Sequence, residues 1–269
     1  MALYKMMGED PKVKAAKKES EKVIIRRLLE QPLRYDGNKK AIEVINRVAQ
    51  RSGLRPAFIA ANAMQEGMNS AIKDDKNMEM NESFAEFAGE DIIKKYPVDG
   101  FNYYGLDTFG DSAQSLKDKG YLEKDFDFAP YEVSNERGTR VKTGAFKSHE
   151  DALMAKAAYL KGFRDQVRDY SAKNKVKINP KTEEYLTMSA YNGGFGNAKM
   201  MIDELASGKF DQDEYVSKGL TSRKGVHKNV APRLDKMNMI AKMYEGPRPP
   251  YEAPMPAFKT LSETIYGKD

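Results

Sequence analysis

The stretch RPAFIAANAMQEGMNSAI, residues 55–72, guides the interpretation of the whole chain. It predicts a helix, because Pro56 suits a first helical turn and alanine, the strongest helix former, recurs through it. Its apolar residues repeat at helical spacing, and the face that they form ends at Glu66. Gly67 follows directly, so we expect the helix to loosen after Glu66 and to leave this carboxyl group near a cleft.

Glu66 has two interpretations. A carboxyl group among apolar neighbours keeps its proton to a higher pH, since burial disfavours the charged form. A protonated carboxyl can donate its proton to the leaving oxygen of a sugar, as glycoside cleavage requires. The alternative is an ordinary surface glutamate on a helix of the core. This stretch alone leaves both interpretations open.

The composition excludes several classes of protein. The 269 residues are 40% hydrophobic, enough for a sizeable core, and contain no cysteine, which excludes disulfides and thiol chemistry. His149 and His227 have no ligand companions at metal-binding spacing, so we predict no zinc site and no cofactor. No apolar run approaches the ~20 residues of a membrane span. The N-terminus MALYKMMGEDPK has no apolar signal core, so we expect synthesis in the cytoplasm without a signal peptide.

The positive charge is concentrated at the N-terminus. Residues 1–40 contain 11 Lys and Arg against 6 Asp and Glu, a difference of +5 that equals the net charge of the whole chain. We therefore expect a basic N-terminal helical arm over residues 1–37, suited to an anionic partner. Specific nucleic-acid binding is not expected, because the arm's helix has no aromatic residue and no recognition motif.

The predicted fold is mostly α (α+β), with a helical domain over residues 38–245 and a small β-hairpin at 131–146. The segment 101–110 is aromatic and punctuated by glycine, which indicates a loop at a cleft edge. Residues 246–269 hold five of the 12 prolines and three aromatic residues, which predicts an extended docking tail. Ser148 and Asn197 are predicted to cap helices. We predict helices at 10–31, 39–52, 55–72, 84–96, 111–120, 148–163, 181–192, 198–208 and 231–244.

Three stretches, in this order, resemble the lysozyme-like superfamily of peptidoglycan-cleaving enzymes. FIAANAMQEGMNS at 58–70 carries a glutamate late in a helix. FNYYGLDTFG at 101–110, followed by the hairpin and helix of 131–160, is similar to the glucosaminidase family of autolysins and flagellar muramidases. SAYNGGFGNAKMMI at 189–202 is similar to the A-Y-N-x-G signature of soluble lytic transglycosylases and goose-type lysozymes. The resemblance covers roughly residues 40–245 and implies a lysozyme-like helical domain with a small hairpin lobe.

The resemblance implies roles for several carboxylates. Glu66 would be the general acid. Glu132 would be a second catalytic carboxylate, as hydrolysis requires, although it could equally be a cross-strand partner of Arg140. Asp107 is the reserve candidate for that role and a candidate substrate contact; its alternative role is to form a turn. A lytic transglycosylase needs no second carboxylate, because a hydroxyl of the sugar itself attacks.

The resemblance also implies substrate contacts from aromatic and amide side chains. Tyr191 would be a catalytic residue in the cleft floor, with its hydroxyl near Glu66, and Asn192 would hold an acetamido group. Their alternative roles are a packed tyrosine and a helix C-cap. Tyr103 and Tyr104 could stack on sugar faces or pack in the core.

We therefore expect an enzyme that cleaves the β-1,4 bond between N-acetylmuramic acid and N-acetylglucosamine in peptidoglycan. The termini suit a phage-encoded enzyme that is associated with the virion, docked to other virion proteins, and acts on the cell wall. Two departures from the family pattern, Gly67 in place of serine and Asp107-Thr108 in place of Met-Gln, allow an inactive structural virion protein instead. A protein that binds nucleic acid through the basic arm is the third alternative.

Overall fold

The computed structural model describes residues 11–77, 81–135, 138–208, 211–213, 216 and 224–245. The predicted proline-rich tail lies outside the described residues. The helices are α1 Pro11–Leu29, α2 Ala41–Ser52, α3 Pro56–Glu66, α4 Met68–Asn77, α5 Glu82–Ala88, α6 Glu90–Lys95, α7 Gly100–Tyr104, α8 Phe109–Asp118, α9 His149–Lys173, α10 Pro180–Gly193, α11 Phe195–Ala206 and α12 Lys224–Tyr244. The strands are β1 Pro32–Leu33, β2 Lys39–Lys40, β3 Val98–Asp99, β4 Ala129–Ser134 and β5 Arg140–Phe146. The predicted mostly α class is confirmed.

The predicted hairpin forms the greater part of a small antiparallel sheet with the strand order β3-β5-β4. Along β4 buried and exposed residues alternate, so that Tyr131 and Val133 point inward while Glu132 points to solvent. Inside the sheet lobe, Phe84 of α5 and Ile93 of α6 pack with these strands in a second, smaller hydrophobic cluster. The two-residue strand β3 adds the third strand, which the sequence does not predict.

The main core surrounds α9, which packs against α2, α3, α10 and α11. Alanines fill much of the α9 face, including Ala152, Ala155 and Ala158, and this lets neighbouring helices approach closely. Ser148 caps the helix as predicted, since its hydroxyl accepts a hydrogen bond from the Asp151 amide at 3.1 Å. The Asp36 carboxylate accepts two further amides of the same first turn.

The site depends on how α3 and α12 pack against each other. Glu245, just after α12, accepts a hydrogen bond from the Ala57 amide in the first turn of α3 at 2.7 Å. Arg233, in the middle of α12, lies at the other end of α3 and pairs with Glu66. A carboxylate therefore faces the N-terminal end of α3 and a guanidinium its C-terminal end, the arrangement that complements a helix dipole.

Three local predictions need correction. The predicted loop at 101–110 contains α7, because the buried Asp99 carboxylate accepts the Phe101 and Asn102 amides and so caps a short helix. Asn197 is not an N-cap, since α11 already begins at Phe195. The final helix begins at Lys224, earlier than the predicted 231, and it continues through Pro232.

Two predicted helices are divided at glycines. The helix predicted over 55–72 is split by Gly67, which adopts a φ of +132°. A Cβ atom at this position would lie 2.3 Å from the Asn102 carbonyl oxygen, so the close approach also requires glycine. The helix predicted over 84–96 is split in the same way at Gly89.

Candidate functional site

Glu66 is the last residue of α3 and marks the boundary between core and surface. Every residue of α3 from 57 to 64 is buried, whereas the side chain of Glu66 is 21% exposed. The helix ends before Gly67, as the sequence predicts, so the carboxyl group lies at the end of the buried helix. Gln65, Asn69 and Ser70 around it are exposed.

Gly105 forms the surface against which Glu66 rests. A Cβ atom built on Gly105 would lie only 2.6 Å from Glu66 Oε2, and the residue has a φ of +58°. Both facts require glycine at this position. The Gly105 carbonyl accepts a hydrogen bond from the Tyr191 hydroxyl at 2.7 Å. Three segments that are distant in sequence thus meet at one carboxyl group.

Arg233 connects the acid to the rest of the site. Its Nη2 atom lies 2.6 Å from Glu66 Oε1 and donates to Asn192 Oδ1 at 3.1 Å, while its Nη1 atom donates to Asn62 Oδ1 at 3.3 Å. The guanidinium is almost fully buried, at 6% exposure. The Arg233 guanidinium therefore joins the Glu66 carboxyl group to both asparagines.

Lys156 of α9 is the second cation of the site and is completely buried. Its Nζ atom donates to the Tyr104 carbonyl oxygen at 3.0 Å and to the Tyr191 hydroxyl. Burial lowers the pKa of Lys156 from 10.5 to about 7; the Glu66 carboxylate opposes this change and the Arg233 guanidinium adds to it. Burial and the charge of Glu66 together hold the pKa of Tyr191 well above its ordinary value, so this phenol stays protonated.

The structure brings Glu66, Tyr191 and Asn192 together, but each makes contacts that the sequence does not predict. The Tyr191 hydroxyl donates to the Gly105 carbonyl beside Glu66. The Asn192 amide oxygen accepts from Arg233. Asp107 lies two residues after Gly105 in an exposed turn, and its charge influences both Lys156 and Tyr191.

The other predicted residues are placed elsewhere. Glu132 lies on the outer face of β4 with its side chain 56% exposed, 3.9 Å from Arg140, which is the cross-strand arrangement of the alternative interpretation. Tyr103 and Tyr104 are buried. Their hydroxyl groups bond to Asp74 and to His149 respectively, each at 2.6 Å. Both rings pack in the core, so in this conformation neither can stack on a sugar.

Three residues of the site were not predicted from the sequence: Arg233, Lys156 and Gly105. Lys156 interrupts an alanine-rich apolar run, MAKAAYL, and a charged residue in such a run was the available signal. No comparable signal marks Arg233, because its partner Asn62 lies 171 residues away in the chain.

In the part of the chain that the structure describes, no cluster of three or more His, Cys, Asp or Glu side chains is arranged to hold a metal ion. In the same residues, no helix combines the length and the apolar character that a membrane crossing requires. Comparisons with protein-family models, curated proteins and solved structures found no match to this chain.

Proposed function

We propose that this protein cleaves the glycan strand of peptidoglycan at the β-1,4 bond between N-acetylmuramic acid and N-acetylglucosamine, with Glu66 as general acid. The observation that carries the proposal is the convergence on Glu66 of the Gly105 turn, Tyr191 and Asn192. These residues come from the three stretches that resemble peptidoglycan-cleaving enzymes. The acid stands at the end of a buried helix, and its side chain is partly exposed.

In the proposed reaction the Glu66 carboxyl gives its proton to the glycosidic oxygen as the bond to the anomeric carbon breaks. In this conformation the Arg233 guanidinium engages the carboxyl group, with its Nη2 atom 2.6 Å from Oε1. The proposal therefore requires that the bound glycan separates Arg233 from Glu66 Oε1. Asn192 would then be released from Arg233 as well, which frees its amide oxygen for a sugar acetamido group.

The second catalytic group determines which reaction follows. Hydrolysis needs a carboxylate that positions a water or stabilises the positive charge on the sugar. Asp107 is better placed than Glu132, because it lies in the turn that contacts Glu66, whereas Glu132 lies on the outer face of the sheet lobe. A lytic transglycosylase would need neither group, since the hydroxyl of the sugar attacks and an anhydro product forms.

One observation favours a second candidate, an inactive structural virion protein. The Glu66 carboxyl group is engaged in an ion pair with Arg233. The Glu66 side chain is partly buried and Arg233 is almost fully buried. For this candidate the buried pair, in which the guanidinium also bonds two asparagines, is a fixed element of the architecture, and it would keep Glu66 from acting as an acid.

Mass spectrometry of the soluble fragments released from purified peptidoglycan separates these candidates. We expect wild type to release fragments and Glu66→Gln to release at least about a hundredfold less, because general acid catalysis is lost. Glu90→Gln, on a glutamate 89% exposed in α6, is the matched control and should keep wild-type activity. If wild type releases no more than Glu66→Gln from pH 4 to pH 9, the enzymatic proposal fails and the structural candidate replaces it.

The product ends then identify the reaction. Anhydro-muramic ends would mean transglycosylation, and Asp107→Asn should then retain most activity. Reducing ends would mean hydrolysis, and the sugar that carries them identifies the bond. In that case Asp107→Asn and Glu132→Gln, compared side by side, show which carboxylate is the second catalytic group.

A further inference from the structure

We propose that Lys156 is a positioning residue for Glu66: together with Tyr191 it holds the turn against which the Glu66 carboxyl group rests. This inference rests on the proposed function in one respect, namely that a correctly placed Glu66 is needed for catalysis. The holding of the turn itself can be measured without any activity.

The geometry is a closed set of hydrogen bonds on two successive carbonyl groups. Lys156 Nζ donates to the Tyr104 carbonyl at 3.0 Å, and the Tyr191 hydroxyl donates to the next carbonyl, that of Gly105, at 2.7 Å. Lys156 also donates to the Tyr191 hydroxyl, which links the two side chains. We call this arrangement, formed by Lys156, Tyr191 and the carbonyls of residues 104 and 105, the carbonyl clamp.

The clamped turn is in direct contact with the acid. The Gly105 Cα atom approaches Glu66 so closely that an added Cβ atom would lie 2.6 Å from Oε2 and 3.0 Å from Cδ and Cγ. Any shift of the turn toward Glu66 would therefore displace the carboxyl group, and any shift away would remove the surface that supports it. Proton transfer depends on geometry at this scale, because misplacement by about 1 Å can reduce rates a hundredfold.

The remainder of the turn is fixed independently of the clamp. The Thr143 hydroxyl of β5 donates to the Leu106 carbonyl at 2.6 Å, and the Leu106 amide bonds to the Gly100 carbonyl. The turn is thus tied to the sheet lobe on one side and to α9 and α10 on the other. Loss of the clamp should loosen residues 104 and 105 without unfolding the lobe.

A lysine at this position is unfavourable for stability, and that cost argues against a purely structural role. Lys156 is fully buried, and within the described residues no carboxylate lies within ion-pair distance of its ammonium group. An apolar side chain of similar length would fill the space without the desolvation penalty of a charge. What only the lysine provides is a pair of oriented hydrogen bonds to the turn and to Tyr191.

The experiment compares Lys156→Met, Tyr191→Phe and the double variant. Lys161→Met is the matched control, since Lys161 lies on the same helix and its Nζ atom is 5.8 Å from the Tyr121 ring centre. Hydrogen exchange of the Tyr104 and Gly105 amides gives the direct readout, and the Leu106 amide, which bonds to the Gly100 carbonyl independently of the clamp, is the internal reference. We expect exchange at residues 104 and 105 to rise about tenfold or more in Lys156→Met and to stay unchanged in Lys161→Met.

Kinetics on soluble peptidoglycan fragments give the second readout. In Lys156→Met we expect kcat to fall about tenfold to a hundredfold with KM within about twofold of wild type, because only the chemical step depends on the acid's position. In the double variant kcat should fall about as far as in the less active of the two single variants, because both side chains belong to one clamp.

Thermal unfolding distinguishes positioning from loss of fold. The folded protein lowers the pKa of Lys156 to about 7 from 10.5, so between these values the unfolded chain binds the proton more tightly and wild-type stability rises with pH. Lys156→Met lacks this contribution. Its Tm relative to wild type should therefore be highest near pH 6 and should decline toward pH 10, while activity is low throughout.

The outcomes are separable. Unchanged amide exchange at residues 104 and 105 in Lys156→Met overturns the clamp, whether or not the protein is an enzyme. Faster exchange with wild-type kcat also overturns the positioning role. A wild-type protein no more active than Glu66→Gln defeats the proposed function instead, and the exchange result then still decides whether the clamp exists.

Discussion

At the scale of single residues, the contact between Gly105 and Glu66 predicts a clear difference between two glycine substitutions. Gly105 and Gly120 have similar positive φ angles, +58° and +69°, but a Cβ on Gly120 would meet no atom within 4 Å. Each change to alanine should cost roughly 1–2 kcal/mol for the left-handed backbone. Gly105→Ala should cost clearly more and should also reduce activity, because its Cβ would push against Glu66.

Denaturant unfolding of the two variants, together with fragment release from peptidoglycan, measures this difference. Gly120→Ala serves as the control for backbone strain alone, so the comparison isolates the contact with the acid. Equal losses of stability and full activity in both variants would mean that the Gly105 turn does not support Glu66.

The sequence predicts the site best where the chemistry is local. Glu66 becomes a candidate from its own helix, since the apolar face and the glycine that follows it are both visible there, although that stretch alone does not decide its role. Tyr191 and Asn192 are identified through a motif whose glycines open a loop. Arg233 could not be predicted, because its role depends on how α12 packs along α3, and nothing near Arg233 in the sequence specifies that packing.

At the scale of elements, α2 and α10 were predicted to within two residues at each end, whereas α9 continues to Lys173, ten residues beyond its predicted end, and α12 begins seven residues before its predicted start. The elements that the prediction missed altogether are short, and their existence depends on tertiary contacts. The helix α7 has five residues and forms because the buried Asp99 caps it, while Asp99 itself is held by the Tyr131 hydroxyl at 2.6 Å. The strand β3 has two residues and forms by pairing with β5. Neither carries a periodic signal that a sequence pattern could reveal.

The capping of α3 by Glu245 gives a prediction about a pair of elements. Glu245 accepts the Ala57 amide at 2.7 Å and the Arg55 guanidinium at 2.6 Å, so it joins the end of α12 to the start of α3. Glu245→Ala should destabilise the protein by about 1–2 kcal/mol, the usual cost of removing a helix N-cap. Thermal or denaturant unfolding measures this cost.

Glu132→Ala is the matched control for Glu245→Ala. Glu132 also pairs with an arginine, but both side chains are more than half exposed and 3.9 Å apart, so its loss should change stability by less than about 0.5 kcal/mol. If the two variants unfold at the same denaturant concentration, Glu245 does not cap α3 in solution.

At the scale of the whole molecule, the sheet lobe and the helical core meet beside the proposed acid. Thr143 of β5 bonds the turn that contacts Glu66, and Gly110 of α8 lies so close to β5 that a Cβ atom there would be 2.5 Å from the Lys142 side chain. The turn that contacts Glu66 is therefore held by the sheet lobe as well as by the helices α9 and α10.

The N-terminal helix shows where the packed body begins. The basic arm was predicted to extend to residue 37, yet Ile25, Leu29 and Leu33 all belong to the main core. The side chains from residue 12 to residue 21 are exposed, so the part of the helix that stands free of the body ends shortly before Ile25. A charged helix that projects in this way can present its lysines to an anionic partner while its last turns hold it to the core.

Two adjacent isoleucines test this boundary. Ile25 is 2% exposed and Ile24 is 56% exposed, so the same chemical change at neighbouring positions of one helix meets the core or the solvent. Ile25→Ala should lower the free energy of unfolding by about 2–5 kcal/mol, because it leaves a cavity between the first helix and the body. Ile24→Ala should change it by less than about 0.5 kcal/mol. Guanidinium unfolding monitored by circular dichroism measures both, and equal effects would mean that the first helix is not packed on the domain in solution and that the core begins after it.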